Sequence, residues 1–483
     1  MAATAPKASS VLHRDLSFVP QKAVGGQGSY ILLDNGQKLL DSTGGAAVSC
    51  LGHGNEKVKD AIKKQMDEIS YIHSLYFATN AFEDLASLLT ESTGGQMSKV
   101  FIANSVTQDA HLSILLLHMN RVIGAEAKFQ TTGSEAMEAA MKLARQYFLE
   151  LAQAQPQRTR FIARQNSFHG VTLGSLSMGG HVFRREPFEP ILLSNISHVS
   201  PCNAYRGKKT GESDADYVGR LAAELDDEFQ RVGPDTVCAF VAEPVVGAAL
   251  GCVPAVPGYF QEMKKVCDKY GALLILDEVM SGMGRSGTLH VWEQEGVVPD
   301  IQTIGKGLSG GYAPVSGILI HERVVNVLDK GSGAFRHGQT YQGYPVGCAA
   351  ALAVQKVIQE EKLLANVREM GALLETRLKE YLSDHPNVGD IRGKGLFWGI
   401  EFVKDKSSKE PFDPKLAVGT LVQNTALTPK YSFSIYGGSG TKDGKTGDHV
   451  LLAPMYNSTR DEIETIAQLT RDVINDVFKD VVG

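Results

Sequence analysis

Two short strand-like runs, each ending in a chemically active residue, constrain this chain more than anything else in it. Between Gly271 and Gly317 the sequence reads GALLILDEVMSGMGRSGTLHVWEQEGVVPDIQTIGKGLSGGYAPVSG. Leu273 to Leu276 close on Asp277-Glu278, and Asp300 to Ile304 close on Gly305-Lys306-Gly307. A continuous apolar run of this length suits a parallel strand covered by helices on both faces. In an open α/β sheet the carboxyl ends of such strands face the ligand crevice. Asp277 and Lys306 lie 29 residues apart, room for one crossover between parallel neighbours. The expectation is an α/β fold in which one acid and one amine point into one crevice.

That pair suits one cofactor chemistry. A lysine amine can form a Schiff base with pyridoxal phosphate (PLP), while an aspartate keeps the pyridine nitrogen protonated. The ring then withdraws electrons from the substrate carbon that loses its proton. Taken singly, a lysine and an aspartate are most often exposed surface residues. The surrounding sequence changes the balance. DEVMSGMGRSG followed by TIGKGLSGGYAPVSG resembles the class III aminotransferases, PLP enzymes of fold type I, and the resemblance runs from about Gly28 to the C-terminus. It implies a large PLP-binding domain with a mostly parallel central sheet flanked by helices, and a smaller α+β domain. Residues 1–78 are then an N-terminal segment joining the small domain, 79–345 the large domain and 346–483 the small one.

Residues 1 to about 20 read as a lead-in. GSYILLDNGQKLLD (28–41) reads as a hairpin with an Asn-Gly turn. His53, in a Gly-rich passage, is expected to be structural rather than a ligand. A helix over 56–68 leads to Tyr71-Ile72-His73-Ser74-Leu75-Tyr76-Phe77. The resemblance makes Tyr76 and Phe77 substrate-pocket candidates, although aromatic residues here could equally be core. Lys99–Asn104 reads as a strand. Gly133-Ser134-Glu135-Ala136 opens a periodic helix with Ser134 as N-cap. A glycine-led helix N-terminus is a phosphate site in waiting, and the resemblance puts the cofactor phosphate on Gly133 and Ser134.

The resemblance assigns further roles. In Ser167-Phe168-His169-Gly170, Phe168 stacks on the cofactor and His169 supports it; Val279 packs on the opposite ring face. Glu243, closing the run Val237–Ala242, lies near the substrate and the cofactor edge. Gly338-Gln339-Thr340-Tyr341-Gln342-Gly343-Tyr344-Pro345 resembles a motif whose threonine reaches the neighbouring subunit's phosphate. Thr340 therefore implies a homodimer with shared active sites. Residues 181–215 are expected to be surface connection, and Gly437–Gly447 a flexible loop. Helices over 345–360, 363–382 and 461–479, with strands over 388–403 and 448–453, complete an α+β unit.

One stretch departs from the pattern. Joining Ser105 directly to Gly133 gives KVFIANSGSEAMEAAMKLAR, a clean match, so the 27 residues 106–132 are surplus. An excursion of this length inside a compact domain is uncommon. It reads as an insertion rather than a functional element, and an unspliced in-frame segment would produce one.

Composition excludes several other classes. A net charge of −6 gives no pull toward nucleic acid or an anionic membrane. Apolar runs such as that near Leu112 to Leu117 are too short to cross a bilayer. Met1–Ser10 resembles neither a signal nor a transit peptide. The six cysteines, without paired metal-ligand spacing, read as reduced core thiols, so no metal is expected and the cytoplasm is the expected location.

The function implied is amino transfer from an amine or ω-amino acid to a 2-oxo acid, with Lys306 as Schiff-base lysine and proton carrier and Asp277 as partner of the ring nitrogen. Ornithine- and 4-aminobutyrate-type members carry an arginine before an A-P-P segment, where this chain has Leu452, and many have glutamine where Met280 stands. Both departures point toward a broader amine or ω-amino acid donor. Arg285 and Arg392, each beside a glycine, are expected to be structural. A decarboxylase, racemase or aminomutase of the same fold would use the same Lys306 and Asp277. A non-catalytic form whose phosphate cup is spoiled by the insertion is the alternative from another class.

Overall fold

The computed structural model describes residues 10–13, 19–104 and 133–482. The insertion expected at 106–132 and most of the N-terminal lead-in lie outside the described residues.

The strands, in chain order, begin with β1 (Ala23–Gln27), β2 (Tyr30–Leu33), β3 (Lys38–Asp41) and β4 (Met97–Ala103). Next come β5 (Arg160–Arg164), β6 (Ile196–Val199) and β7 (Val237–Ala242), then the two-residue pair β8 (Val245–Val246) and β9 (Val253–Pro254). They continue with β10 (Leu273–Asp277), β11 (Ile301–Ile304) and β12 (Ser316–His321). The last five are β13 (Val388–Lys394), β14 (Phe397–Phe402), β15 (Phe433–Ser434), β16 (Tyr436–Ser439) and β17 (Asp448–Leu452).

Seven of these form the central sheet, in the order β4-β12-β11-β10-β7-β5-β6. The run from β11 to β6 is parallel throughout, and only β12 runs against its neighbours. Every residue of β7, β10 and β11 is buried, because helices cover both faces. The two-residue period of a strand divides β10 between them. Leu273 and Ile275 join the apolar cluster of helix Gly133–Glu150, whereas Leu274 and Leu276 join that of helices Asp214–Val232 and Tyr259–Lys269.

Parallel strands share a direction, so their carboxyl ends share an edge. Residues 165–169, Glu243 and Lys306, which follow β5, β7 and β11, and Asp277, which ends β10, are delivered there together.

A second sheet, β13-β14-β17-β16, is antiparallel and packs on helices Pro345–Glu360, Leu363–Leu382, Val418–Ala426 and Arg460–Val482. The N-terminal hairpin belongs with it: β3 pairs in parallel with β15, and Leu40, Leu51 and Val58 enter the same core. The turn between β2 and β3 has Gly36 at φ +85°, the left-handed geometry an Asn-Gly turn supplies. His53 forms a bridge with Gly28 and sits 3.4 Å from Asp41, a structural use.

Three local expectations are corrected. The stretch 181–215 is more than a connection, since it contains β6, the sheet's edge strand, and the short helix Val182–Arg185. The Gly-rich loop starts as strand β16, hydrogen-bonded to β17. Ser134 is not an N-cap, because the helix already includes Gly133.

Candidate active site

A cavity of about 310 Å³ opens at the carboxyl edge of the parallel strands. Lys306, Asp277, Glu243, Phe168, His169, Gly133, Ser134 and Val279 all line it. Nine of the eleven residues singled out from the sequence were assigned to the cofactor, and eight of those nine meet here.

Asp277 ends β10 and is held by three donors. Oδ2 accepts from His169 Nδ1 at 2.8 Å, while Oδ1 accepts from Thr303 Oγ1 at 3.0 Å and the Val279 amide at 3.1 Å. His169 is buried, and its Nε2 has no hydrogen-bond partner among the described residues.

Lys306 lies two residues beyond β11, at the start of the 3-10 turn Lys306–Leu308, with φ +44°. A non-glycine residue in the left-handed region is strained and persists only where its surroundings hold it. Here Gln355 Nε2, from helix Pro345–Glu360, donates to Gly307 O at 3.1 Å and Leu308 O at 2.8 Å. Burial lowers the Lys306 pKa, against the opposing pull of Asp277 and Glu243.

Glu243 accepts from the Phe168 amide at 2.9 Å and the Gly247 amide at 3.3 Å. Burial raises its pKa. Its backbone oxygen takes a hydrogen bond from buried Arg164, tying the end of β7 to that of β5. Ser134 Oγ accepts from the Val171 amide at 3.0 Å. A Cβ on Gly133 would come within 2.4 Å of Val279, so glycine lets this helix end close on the strand-end loop.

Three singled-out residues lie elsewhere. Thr340 is exposed, with its carbonyl accepting from Tyr71 Oη at 3.1 Å. Tyr76 and Phe77 are 75% and 58% exposed, and within the single chain they do not line the cavity. Arg285 and Arg392 are structural, as expected. Arg285 donates to the carbonyls of Leu396 and Pro454, and Arg392 to that of Gly251 while pairing with Glu401 at 2.6 Å.

Among the lining residues that were missed, two carry chemistry of their own. Tyr436 was hidden at the start of a Gly-rich stretch, and Arg184 in a stretch with no periodicity. The one signal available for Arg184 was a paired Arg-Arg in a segment otherwise rich in Phe and Pro.

The lining fits PLP. It offers an amine, a carboxylate fixed by His169, an aromatic and an aliphatic face (Phe168 and Val279), and the first turn of an 18-residue helix, whose leading N–H groups have no partner within the helix. The unpartnered His169 Nε2 is a further polar atom available to an occupant.

Comparison with known proteins agrees. The family profile described as Aminotransferase class-III matches residues 12–121 and 108–429, two pieces that overlap inside the surplus stretch. An aminotransferase of Gibberella zeae is 51% identical over 96% of this chain and 85% of its own length. An uncharacterised aminotransferase of Schizosaccharomyces pombe is 46% identical, covering 93% of this chain and 91% of its own. Among solved structures, the omega transaminase of Pseudomonas jessenii in complex with PMP superimposes with a TM-score of 0.84. It is 30% identical and covers 96% of this chain and 94% of its own. Likeness on this scale, in sequence and in the sheet that carries the cavity, leaves one conclusion: the chain belongs to the class-III aminotransferases.

Proposed function

We propose that this protein is a PLP-dependent transaminase that moves an amino group from an amine or ω-amino acid to a 2-oxo acid. The observation that carries the reading is that Lys306 and Asp277, from adjacent parallel strands, line one cavity with Phe168, Val279 and a helix N-terminus. Relatives named as transaminases, one of them solved with PMP, a derivative of PLP, support it.

When bound, the cofactor supplies a carbon that takes up the substrate's amine and a ring that accepts the electron pair left by the departing proton. Lys306 removes that proton from the substrate carbon and returns it to complete the transfer. Its lowered pKa places more of the amine in the neutral form that can accept a proton. Asp277 holds the proton on the ring nitrogen, and His169 fixes the carboxylate in that direction. Phe168 and Val279 bracket the ring, Gly133 and Ser134 receive the phosphate, and Glu243 stands at the cofactor edge toward the substrate.

We further propose a homodimer in which Thr340 completes the partner's phosphate site. Its exposure, and that of nearby Tyr71, Leu75, Tyr76 and Phe77 at 40%, 72%, 75% and 58%, supports this. Tyr76 and Phe77 would then edge a substrate entrance formed between subunits. The six buried, unpaired thiols suit a cytoplasmic setting.

The test is visible absorbance of the purified protein with PLP, followed by assay of amino transfer to pyruvate and 2-oxoglutarate across an amine-donor screen. Cofactor-dependent transfer is expected. Decarboxylation or racemisation without consumption of the oxo acid would overturn the reading.

A further inference from the structure

The wall of the cavity holds a single arginine among the described residues, Arg184. Residues 184 and 185 are consecutive arginines with opposite fates. Arg185 is fully engaged: its guanidinium donates to Ser177 O at 2.6 Å, to Gly179 O at 2.7 Å and to Glu189 at 3.0 Å. Arg184 lines the cavity, half-buried, with its guanidinium 4.9 Å from the centre of the Phe168 ring and, among the described residues, no carboxylate paired with it. The other cation in the lining is Lys306.

The acids of the cavity do not neutralise Arg184. Asp277 is engaged by His169, Thr303 and the Val279 amide, and Glu243 by the Phe168 and Gly247 amides. The aromatic face beneath the guanidinium holds it in place but supplies no counter-charge. A guanidinium is always ionised and presents a planar fork that matches a carboxylate with two parallel hydrogen bonds.

Its position is also fixed from outside. The Phe183 amide donates to Gly444 O at 3.4 Å, and Lys445 pairs with Glu186 at 3.1 Å, so the loop after β16 grips the residues flanking Arg184.

Resting on the transaminase reading, we propose that Arg184 binds the carboxylate of the 2-oxo acid acceptor and of any amino acid donor. The role is open, because the other cation of the lining is Lys306 and both Arg285 and Arg392 are committed to structure. The same arrangement accommodates donors that have no carboxylate. With nothing to bind, the guanidinium stays on Phe168 and leaves the cavity to an apolar group.

The experiment compares wild-type holoenzyme with Arg184→Gln and Arg184→Lys. Pyruvate serves as acceptor, 1-phenylethylamine as carboxylate-free donor and propanoate as a non-reacting carboxylate. Losing a charge-assisted pair should raise KM for pyruvate about 10- to 100-fold in Arg184→Gln, with kcat changed by less than about threefold. KM for the amine should stay within about twofold, and Arg184→Lys should fall between wild type and Arg184→Gln. Propanoate binding, read by calorimetry, should weaken by the same factor as pyruvate.

If Arg184→Gln proves unstable, Arg184→Met keeps the apolar stem over Phe168 and carries the same expectation. An unchanged pyruvate KM, or equal losses for pyruvate and the amine, would overturn the assignment and leave Arg184 a support for Phe168. A wild-type enzyme that transfers no amino group from any donor would refute the transaminase reading instead. Propanoate calorimetry on wild type and variant would still decide the role of Arg184.

Discussion

Asp277 and His169, 108 residues apart in sequence, are joined by a 2.8 Å hydrogen bond inside the protein. One ends β10 and the other lies in the loop after β5, with β7 between them in the sheet. The bond crosses a strand and fixes one carboxylate oxygen while Thr303 and Val279 fix the other. Asp277→Asn keeps the shape of this arrangement but removes the charge that holds a proton on the ring nitrogen. The expected result is retained, weakened PLP binding with a turnover loss of about 100-fold or more. Stopped-flow measurement of the first half-reaction checks this, and a wild-type rate would refute the role of the carboxylate.

Lys306→Ala removes the covalent attachment and the proton carrier together. Turnover should fall by at least about 1,000-fold, and the visible band of the lysine-bound cofactor should disappear. Absorbance and steady-state assay read the two effects separately. Near-normal transfer without added amines would be incompatible with the assignment.

Thr340→Ala tests whether two subunits share a site. Alone, it should weaken PLP binding. Mixed with Lys306→Ala, each hybrid dimer has one site with both defects and one with neither, so about half of a wild-type dimer's activity should return. Subunit exchange confirmed by mass spectrometry, with no recovery of activity, would rule out sharing.

Burial holds His290 at a pKa of about 4 against an ordinary 6.5. A histidine kept neutral in the fold contributes stability that is complete above pH 6.5 and is lost as pH falls through about 4. Over that interval wild type should lose roughly 3 kcal/mol more unfolding free energy than His290→Leu. Urea unfolding at pH 7 and pH 4 reads the difference. Parallel pH dependence in the two proteins would show that His290 does not supply it.

Deleting 106–132 should tighten PLP binding and raise activity without changing the fold. Lengthening a loop from about 4 to about 31 residues costs only roughly 2 kcal/mol, so the longer chain still folds. The loss would be in anchoring Gly133 and Ser134 to the end of β4, where small displacements weaken positioning. The family match is in two pieces, 12–121 and 108–429, that overlap within this stretch. Equal or weaker affinity in the deletion variant would mean that the stretch belongs to the working enzyme.

What was legible in the sequence follows from how strongly each residue's surroundings specify it. Leu273–Leu276 must be apolar because both faces are covered, so β10 and the acid at its end could be read directly. Helices such as Pro345–Glu360 carry their own periodicity and a leading proline. β6 could not be read: Ile196-Ser197-His198-Val199 is short, half-polar and at the sheet edge, where a single face of contact imposes little pattern. Arg184 left no trace beyond its pairing with Arg185, because a cavity wall demands neither apolarity nor period. Thr340, Tyr76 and Phe77 are placed on the surface of one chain, and the roles proposed for them depend on a second.

The pairing of β3 with β15 also sets an order of assembly. Asp41 meets Ser434 across 393 residues of chain, so during synthesis the first hairpin leaves the ribosome with one edge unpaired. All seven strands of the central sheet are made before that edge finds its partner. The N-terminal strands must therefore be kept from other unpaired edges while translation continues. A ribosome-bound chain halted before residue 433 should expose them to protease, and one released after it should protect them.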